Sequence, residues 1–274
     1  PSEARMVESG YQVTGAWKFA SGGHQASWIG GQSHVIGPDG APKRQPNGAP
    51  VIRVMLFPRK DVQLMDSWNV MGLKGTGSDD YSVKDVFVPE RFSFGRDEAA
   101  DKRENSLLFN FSTSNVYSFG FAAVALGIAR RMLDDAANIV GEKIPYGTKR
   151  AMRDNNVIQG QIGRSEAALR AARNYLYTTA QNIWRDVAEN PILSMDQKIE
   201  IRLSSANAIH QSAAVADTVY HMIGSTAVFA ENPFEQRFRD IHTVTQQLQG
   251  RQSHYESVGQ VLLGFEPDAA LFTT

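Results

Sequence analysis

Gly10-Tyr11-Gln12-Val13-Thr14-Gly15-Ala16-Trp17-Lys18-Phe19-Ala20-Ser21-Gly22 is the stretch on which the reading of this chain turns. Tyr11, Val13, Trp17 and Phe19 fall on alternate positions, the period of a strand with one buried face. The strand then runs into Ser21-Gly22-Gly23-His24. Spacing alone favours a core strand that ends in a glycine-rich turn. Two aromatic rings, a hydroxyl, two permissive backbones and an imidazole also suit a flat, polar cofactor.

Around this stretch the first hundred or so residues read as a β domain. Tyr11–Phe19, Ser27–Ile36, Val51–Phe57, Val62–Trp68 and Tyr81–Val88 are strand candidates. Pro38-Asp39-Gly40 and Pro46-Asn47-Gly48 separate them as turns. Short strands with no helix between them predict an antiparallel barrel or sandwich over residues 1–100. From about Asn105 the period lengthens. Val116, Phe119, Ala123, Gly127 and Met132 mark a first helix. Ile158, Ile162, Ser165, Leu169, Ala172, Leu176, Ala180, Ile183 and Val187 form a seam at steps of three and four. Ser194 and Gln197 form a capping box before a third helix, whose stripe runs through Ile199, Leu203, Ala206, Ala213, Ala216 and Ile223. Asn232-Pro233 opens a fourth helix, read as continuous to about Leu263. Residues 101–274 are therefore expected to be a long up-down four-helix bundle. Its many Ala and Gly positions predict a second buried face, covered by another copy of the chain.

Composition sets the outer limits. The chain has 274 residues, 42% of them hydrophobic, enough for one large or two ordinary domains. A net charge of -1 gives no basic excess for nucleic acid or an anionic membrane. There is no cysteine, which excludes disulfides and thiolate metal sites and makes the cytoplasm the default location. The longest weakly polar stretch, Phe119 to Ala129, reads as too short for a membrane span. No metal-ligand spacing, P-loop or dinucleotide fingerprint occurs. The sequence opens with Pro1 and enters a strand almost at once, so a preceding segment is expected.

Three motifs in order give the chain a resemblance to the acyl-CoA dehydrogenase fold. They are Gly15-Ala16-Trp17-Lys18-Phe19-Ala20-Ser21-Gly22, then Gly72-Leu73-Lys74-Gly75-Thr76-Gly77-Ser78-Asp79 running into Val83–Pro89, and Pro233-Phe234-Glu235-Gln236-Arg237-Phe238-Arg239-Asp240. The resemblance covers essentially the whole chain and lacks the family's N-terminal helical domain. Dehydrogenases of this fold often carry a glutamate base in the last helix. Ile241–Gly250 holds no carboxylate here, and glutamine cannot take a proton. The Trp-x-Phe-x-Ser-Gly pattern followed by His24, the Gly-Thr-Gly-Ser loop and Gly224-Ser225-Thr226-Ala227 look more like the two-component flavin monooxygenases. That branch takes reduced FMN, or FAD, from a separate flavin reductase. It adds O2 at the flavin C4a to give a C4a-(hydro)peroxyflavin and hydroxylates an aromatic or other apolar ring substrate.

The resemblance assigns roles residue by residue. Trp17 and Phe19 would pack against the flavin ring; otherwise they are barrel core. Ser21 resembles the serine that bonds flavin N5 or O4, and His24 would polarise a phenol or act as an acid. Lys74 stands where the monooxygenases often carry arginine, keeping the charge but losing the bidentate fork. Thr76, Gly77 and Ser78 would hold phosphate or pyrimidine oxygens. Gly224, Ser225 and Thr226 match a segment that meets flavin from a neighbouring subunit, and Gly224 also fits a helix C-cap. Tyr146-Gly147 resembles a family Phe-Gly, but Glu142-Lys143 replaces its upstream arginine, which favours FMN. Gln247 occupies the place of a catalytic histidine, so the reaction uses His24 or needs no such base. His210, His221 and His242 read as structural. The resemblance also implies a homotetramer. Two alternatives stay open: an FAD-dependent acyl-CoA dehydrogenase-like enzyme, and a non-catalytic truncated scaffold.

Overall fold

The computed structural model describes residues 2–267. The chain forms two compact units. One holds the residues up to Val70 together with Lys74–Glu104; the other holds Met71–Leu73 and the chain from Asn105 onward.

The first unit is a seven-stranded sheet. Its strands are β1 (Glu3–Val7), β2 (Gly10–Trp17), β3 (Trp28–Ile36), β4 (Ile52–Pro58), β5 (Gln63–Met65), β6 (Asp80–Pro89) and β7 (Ser93–Phe94). They lie in the order β5-β6-β2-β1-β3-β4-β7. The expected antiparallel sheet is corrected at one place. β1 pairs with β3 in parallel, with Glu3 opposite His34 and Arg5 opposite Ile36. The cause is a hairpin: β1 and β2 pair through Val7 and Gly10, with Ser9 in the left-handed region between them. β2 therefore already occupies one edge of β1, and β3 pairs along the other. Alternation along each strand carries no information about this pairing. Along β2 the side chains of Tyr11 and Val13 are buried, and Val13 meets Met55, Phe57 and Val83 in the sheet's core cluster. The register with β6 slips between Val13 and Gly15, a bulge that re-aims the end of the strand.

The second unit is helical. Its long helices are α1 (Thr113–Glu142), α2 (Asn156–Glu189) and α3 (Met195–Ile223), followed by the shorter α4 (Pro233–Thr245) and α5 (Ser253–Leu262). The Ser194–Gln197 capping box forms as the sequence requires, and the α2 seam is buried at Ser165, Leu169, Ala172, Leu176, Ile183 and Val187, with Thr179 buried where Ala180 was expected. α3 is buried on more than one side, with Ile201, Ala208, Ile209 and Val219 fully covered beyond the expected stripe. It packs against each of the other four helices. A helix apolar around most of its circumference belongs in the middle of a bundle.

Three expectations fail here. The α1 stripe is Ser118, Ala122, Ala125, Leu126, Ala129 and Met132, while Val116, Ala123 and Gly127 are exposed. In so Ala- and Gly-rich a helix the two faces differ too little for periodicity to separate them. α1 is also long and apolar enough to cross a membrane, with a window of mean hydropathy 1.3, contrary to the sequence reading. Its apolar face lies in the bundle core. Finally, the last helix is broken. α4 ends at Thr245, Gln247 is extended, and a single tight turn at Leu248–Gly250 precedes α5.

Candidate functional site

The first unit gathers the motif residues on one turn. Phe19 takes a left-handed backbone, φ 66°, which is costly for a bulky side chain. That reversal turns the chain so that Ala20 N donates to Asp79 O and Gly22 N to Thr76 O, each at 2.9 Å. The Phe19–His24 turn is thereby locked to the Lys74–Asp79 loop. Ser21 Oγ lies 2.7 Å from Ser78 Oγ, which lies 2.7 Å from Thr76 Oγ1. Ser78 is buried and Ser21 exposed. A hydroxyl has one proton, so a chain of three polarises in one direction. When Thr76 donates to Ser78 and Ser78 to Ser21, the Ser21 proton points outward.

The two aromatic candidates part company. Trp17 is half-buried, stacks on Tyr81 at a centroid distance of 5.1 Å, and donates its indole N–H to Gln32 O at 2.6 Å. It belongs to the sheet core. Gly31 makes room for it: a Cβ there would lie 2.5 Å from the indole ring. Phe19 is 68% exposed and touches Trp68 edge-on. Only Phe19 offers a free ring face. Lys74 is exposed at the start of its turn.

His24 has a partner that the sequence reading missed. Its Nε2 lies 2.6 Å from Asp79 Oδ2, while Asp79 Oδ1 accepts the backbone N–H groups of Ser67 and Trp68. The His24 hydrogen bond, then those two backbone donors, hold the Asp79 carboxyl below its ordinary range. The only sequence signal was its position directly after Gly-Thr-Gly-Ser.

The remaining candidates belong to the helical unit. Gly224 closes α3 as a C-cap at φ 65°. Gly224, Ser225 and Thr226 continue into a tight turn, with Gly224 and Ser225 exposed. Lys143, expected to leave a cofactor contact open, instead donates to Ile223 O and Thr226 Oγ1, both at 2.7 Å. It satisfies the end of α3 and fixes Thr226. Gln247 turns its Oε1 back onto Gln249 N at 2.6 Å, capping the turn between α4 and α5. Beneath that turn lies a buried cation that the sequence reading also missed. Arg202 donates to Ser114 Oγ and Gln249 Oε1, and burial pushes its guanidinium down to about 10. His242 pairs with Asp217 at 2.9 Å, and His210 bonds Gly250 O. Met71–Leu73 is held on α4: Asp240 accepts Leu73 N at 2.6 Å and Arg239 donates to Met71 O.

Residues 119–250 match the family described as acyl-CoA dehydrogenase, C-terminal domain. XiaF from Streptomyces sp., solved in complex with FADH2 and glycerol, superposes with a TM-score of 0.86 at 21% identity, over 98% of this chain and 68% of that one. The chain has the acyl-CoA dehydrogenase fold. Two of its sequence relatives are named as hydroxylating enzymes. It is 28% identical over 267 residues to the indole-3-acetate monooxygenase of Pseudomonas putida, covering 97% of this chain and 66% of that protein. It is 30% identical over 244 residues to a pigment production hydroxylase of Rhodococcus erythropolis, covering 86% and 61%. The chain spans just under two thirds of the length of these relatives.

Proposed function

We propose that this chain is the flavin-holding part of an oxygenase component that hydroxylates an aromatic substrate with reduced flavin and O2. The observation that carries the reading is Phe19, a ring held exposed in a strained backbone beside the Ser21–Ser78–Thr76 hydroxyl chain. The donor set fits a flavin. It offers an aromatic face, an outward hydroxyl and a cation, with no carboxylate among the three. Gly22, at φ 74°, has open space where a Cβ would stand, so a ligand can approach its backbone.

Bound reduced flavin would supply the electrons that activate oxygen. The chain's residues do the rest. Phe19 packs against the ring system and shields it from water. With Thr76 donating to Ser78 and Ser78 to Ser21, Ser21 has its own proton left to donate as a neutral hydrogen bond to a ring heteroatom. Lys74 places a positive charge where a pyrimidine or phosphate carries a negative one. By the resemblance, Gly224, Ser225 and Thr226 would serve the flavin of a neighbouring copy. An acyl-CoA dehydrogenase needs a carboxylate base, and the turn that would carry one holds Gln246, Gln247 and Gln249.

A separate reductase delivers the flavin, and exposed apolar residues of the bundle, Tyr117, Val124, Tyr177 and Trp184 among them, support association with further copies. The cytoplasm is the proposed location. Anaerobic titration of the intact protein with oxidised and reduced FMN and FAD tests the reading. Tight binding of a reduced flavin, weakened about tenfold in Ser21→Ala for the loss of one hydrogen bond, is expected. Equal indifference to all four flavins refutes it.

A further inference from the structure

We propose that Asp240 is a positioning residue for flavin binding: by holding Leu73 in a left-handed backbone, its carboxylate fixes where the Lys74–Ser78 loop begins. This rests on the hydroxylase reading above. Among the described residues, five other than glycine take a positive φ: Ser9, Phe19, Leu73, Asp85 and Asp97. Ser9, Asp85 and Asp97 have short polar side chains, which bear that conformation most easily. Phe19 and Leu73 are bulky. Each stands at the entrance of one of the two turns that lock together, Phe19–His24 and Lys74–Asp79. Strain in a bulky residue persists only where its surroundings over-determine it, and such residues gather where geometry matters to function.

Leu73 is held at both ends of its φ rotation. Its backbone N–H donates to Asp240 Oδ1 at 2.6 Å, and its side chain packs against the core of the bundle. Fixing the N–H direction and the Cα–Cβ direction together fixes φ, here at 54°. The residues before it leave no slack. Gly72 has no room for a Cβ, which would lie 2.3 Å from Arg239 O and 2.5 Å from Thr243 Oγ1. Met71 O accepts from Arg239, whose guanidinium also pairs with Glu235 at 2.5 and 2.9 Å. Arg239 therefore serves the neighbouring carbonyl, and Asp240 serves the strained residue itself. From Leu73 the chain enters the tight turn at Lys74. Gly77 N closes on Lys74 O at 3.2 Å, Gly22 N donates to Thr76 O, and Thr76 and Ser78 carry the hydroxyl chain to Ser21. A Leu73 that relaxes to negative φ sends the chain off in another direction, and Lys74, Thr76 and Ser78 shift as a group.

Asp240→Asn and Asp240→Glu make the sharpest test, because each keeps what the other loses. Asparagine keeps the reach of the acceptor and drops the charge. Glutamate keeps the charge and moves the acceptor by one methylene. A role through Leu73 N requires that asparagine work and glutamate fail, whereas a charge needed only beside Arg239 requires the reverse. Anaerobic titration of the intact proteins with reduced FMN and FAD should give affinity within about threefold of wild type for Asp240→Asn, and about tenfold weaker for Asp240→Glu and Asp240→Ala, the worth of one hydrogen bond to a charged group. Amide exchange of the flavin-free proteins is the second readout. Residues 71–80 should exchange roughly tenfold faster in Asp240→Glu and Asp240→Ala and at the wild-type rate in Asp240→Asn, with α1, α2 and α3 protected in all four proteins. The asparagine and glutamate variants remain informative if Asp240→Ala unfolds. The reverse order, an Asp240→Asn as weak as Asp240→Ala, or affinity lost together with protection throughout α1–α3 overturns the proposal. Flavin bound alike by all four proteins defeats the Asp240 role alone. Faster exchange over 71–80 in Asp240→Glu and Asp240→Ala, with no flavin bound by any of the four, defeats the hydroxylase reading alone.

Discussion

Replacing Trp17 and Phe19 separately distinguishes a core ring from a ligand-facing one. Phe19 is 68% exposed, so about a third of a side chain that buries ~200 Å2 when covered is in contact, worth ~1.5 kcal/mol at ~25 cal/mol per Å2. Against this stands the left-handed backbone at φ 66°, which costs an L-residue about 1–2 kcal/mol and costs glycine nothing. Phe19→Ala loses the contact and keeps the strain, a destabilisation of about 1.5 kcal/mol. Phe19→Gly loses the contact and the strain together and comes out near neutral. Glycine should therefore exceed alanine by about 1 kcal/mol at this position, the reverse of their usual order. Trp17→Ala removes the stack on Tyr81 and leaves Gln32 O without its donor, and should cost ~3–5 kcal/mol. Urea unfolding measures all three, and anaerobic titration measures reduced-flavin affinity. Both Phe19 variants should bind reduced flavin about tenfold more weakly, the worth of one aromatic stack. The reasoning fails if alanine is the more stable replacement at 19, if Trp17→Ala costs under about 1 kcal/mol, or if flavin affinity ignores Phe19.

Gly31→Ala drives a methyl group into the Trp17 indole and should destabilise by ~1–3 kcal/mol, with a change in the near-ultraviolet circular dichroism of Trp17. Ser194→Ala removes the cap on Gln197 N and should cost about 1 kcal/mol in the same urea assay. His254 donates Nε2–H to Leu248 O, and burial pushes its imidazole below the ordinary value. The unfolded chain therefore takes up this proton first as pH falls, beginning near pH ~6.5, and stability declines from there towards the lower folded value. His254→Gln should flatten that decline below about pH 6.5, seen as a urea midpoint that moves less with pH than in the wild type.

What the sequence made legible was whatever local chemistry decides. The Ser194 box, the Asn232-Pro233 start and the α2 seam depend on residues within a few positions of each other. The β2 alternation showed which side chains are inward, and Trp17 is inward. It could not show that the chain reverses at Phe19, because a left-handed phenylalanine is paid for by contacts to Asp79 and Thr76 about 60 residues away. The same distance hid the His24–Asp79 pair. The break after α4 was hidden for another reason. Gln246, Gln247 and Gln249 are ordinary helix formers, and what stops the helix is Gln249 bonding Ser118 and Arg202 instead of facing solvent. The parallel β1–β3 pair follows from which sheet edge was vacant, a fact of topology that no single strand records.

Met71, Gly72 and Leu73 leave the sheet's company for three residues, are gripped by Arg239 and Asp240, and then hand the chain back at Lys74. The backbone therefore passes between the units at three points in sequence: after Val70, after Leu73 and after Glu104. A gene severed after Leu73 or after Glu104 parts the tripeptide from its clasp, and one severed after Val70 parts β6 from its sheet neighbours β5 and β2. No single cut therefore returns both units whole.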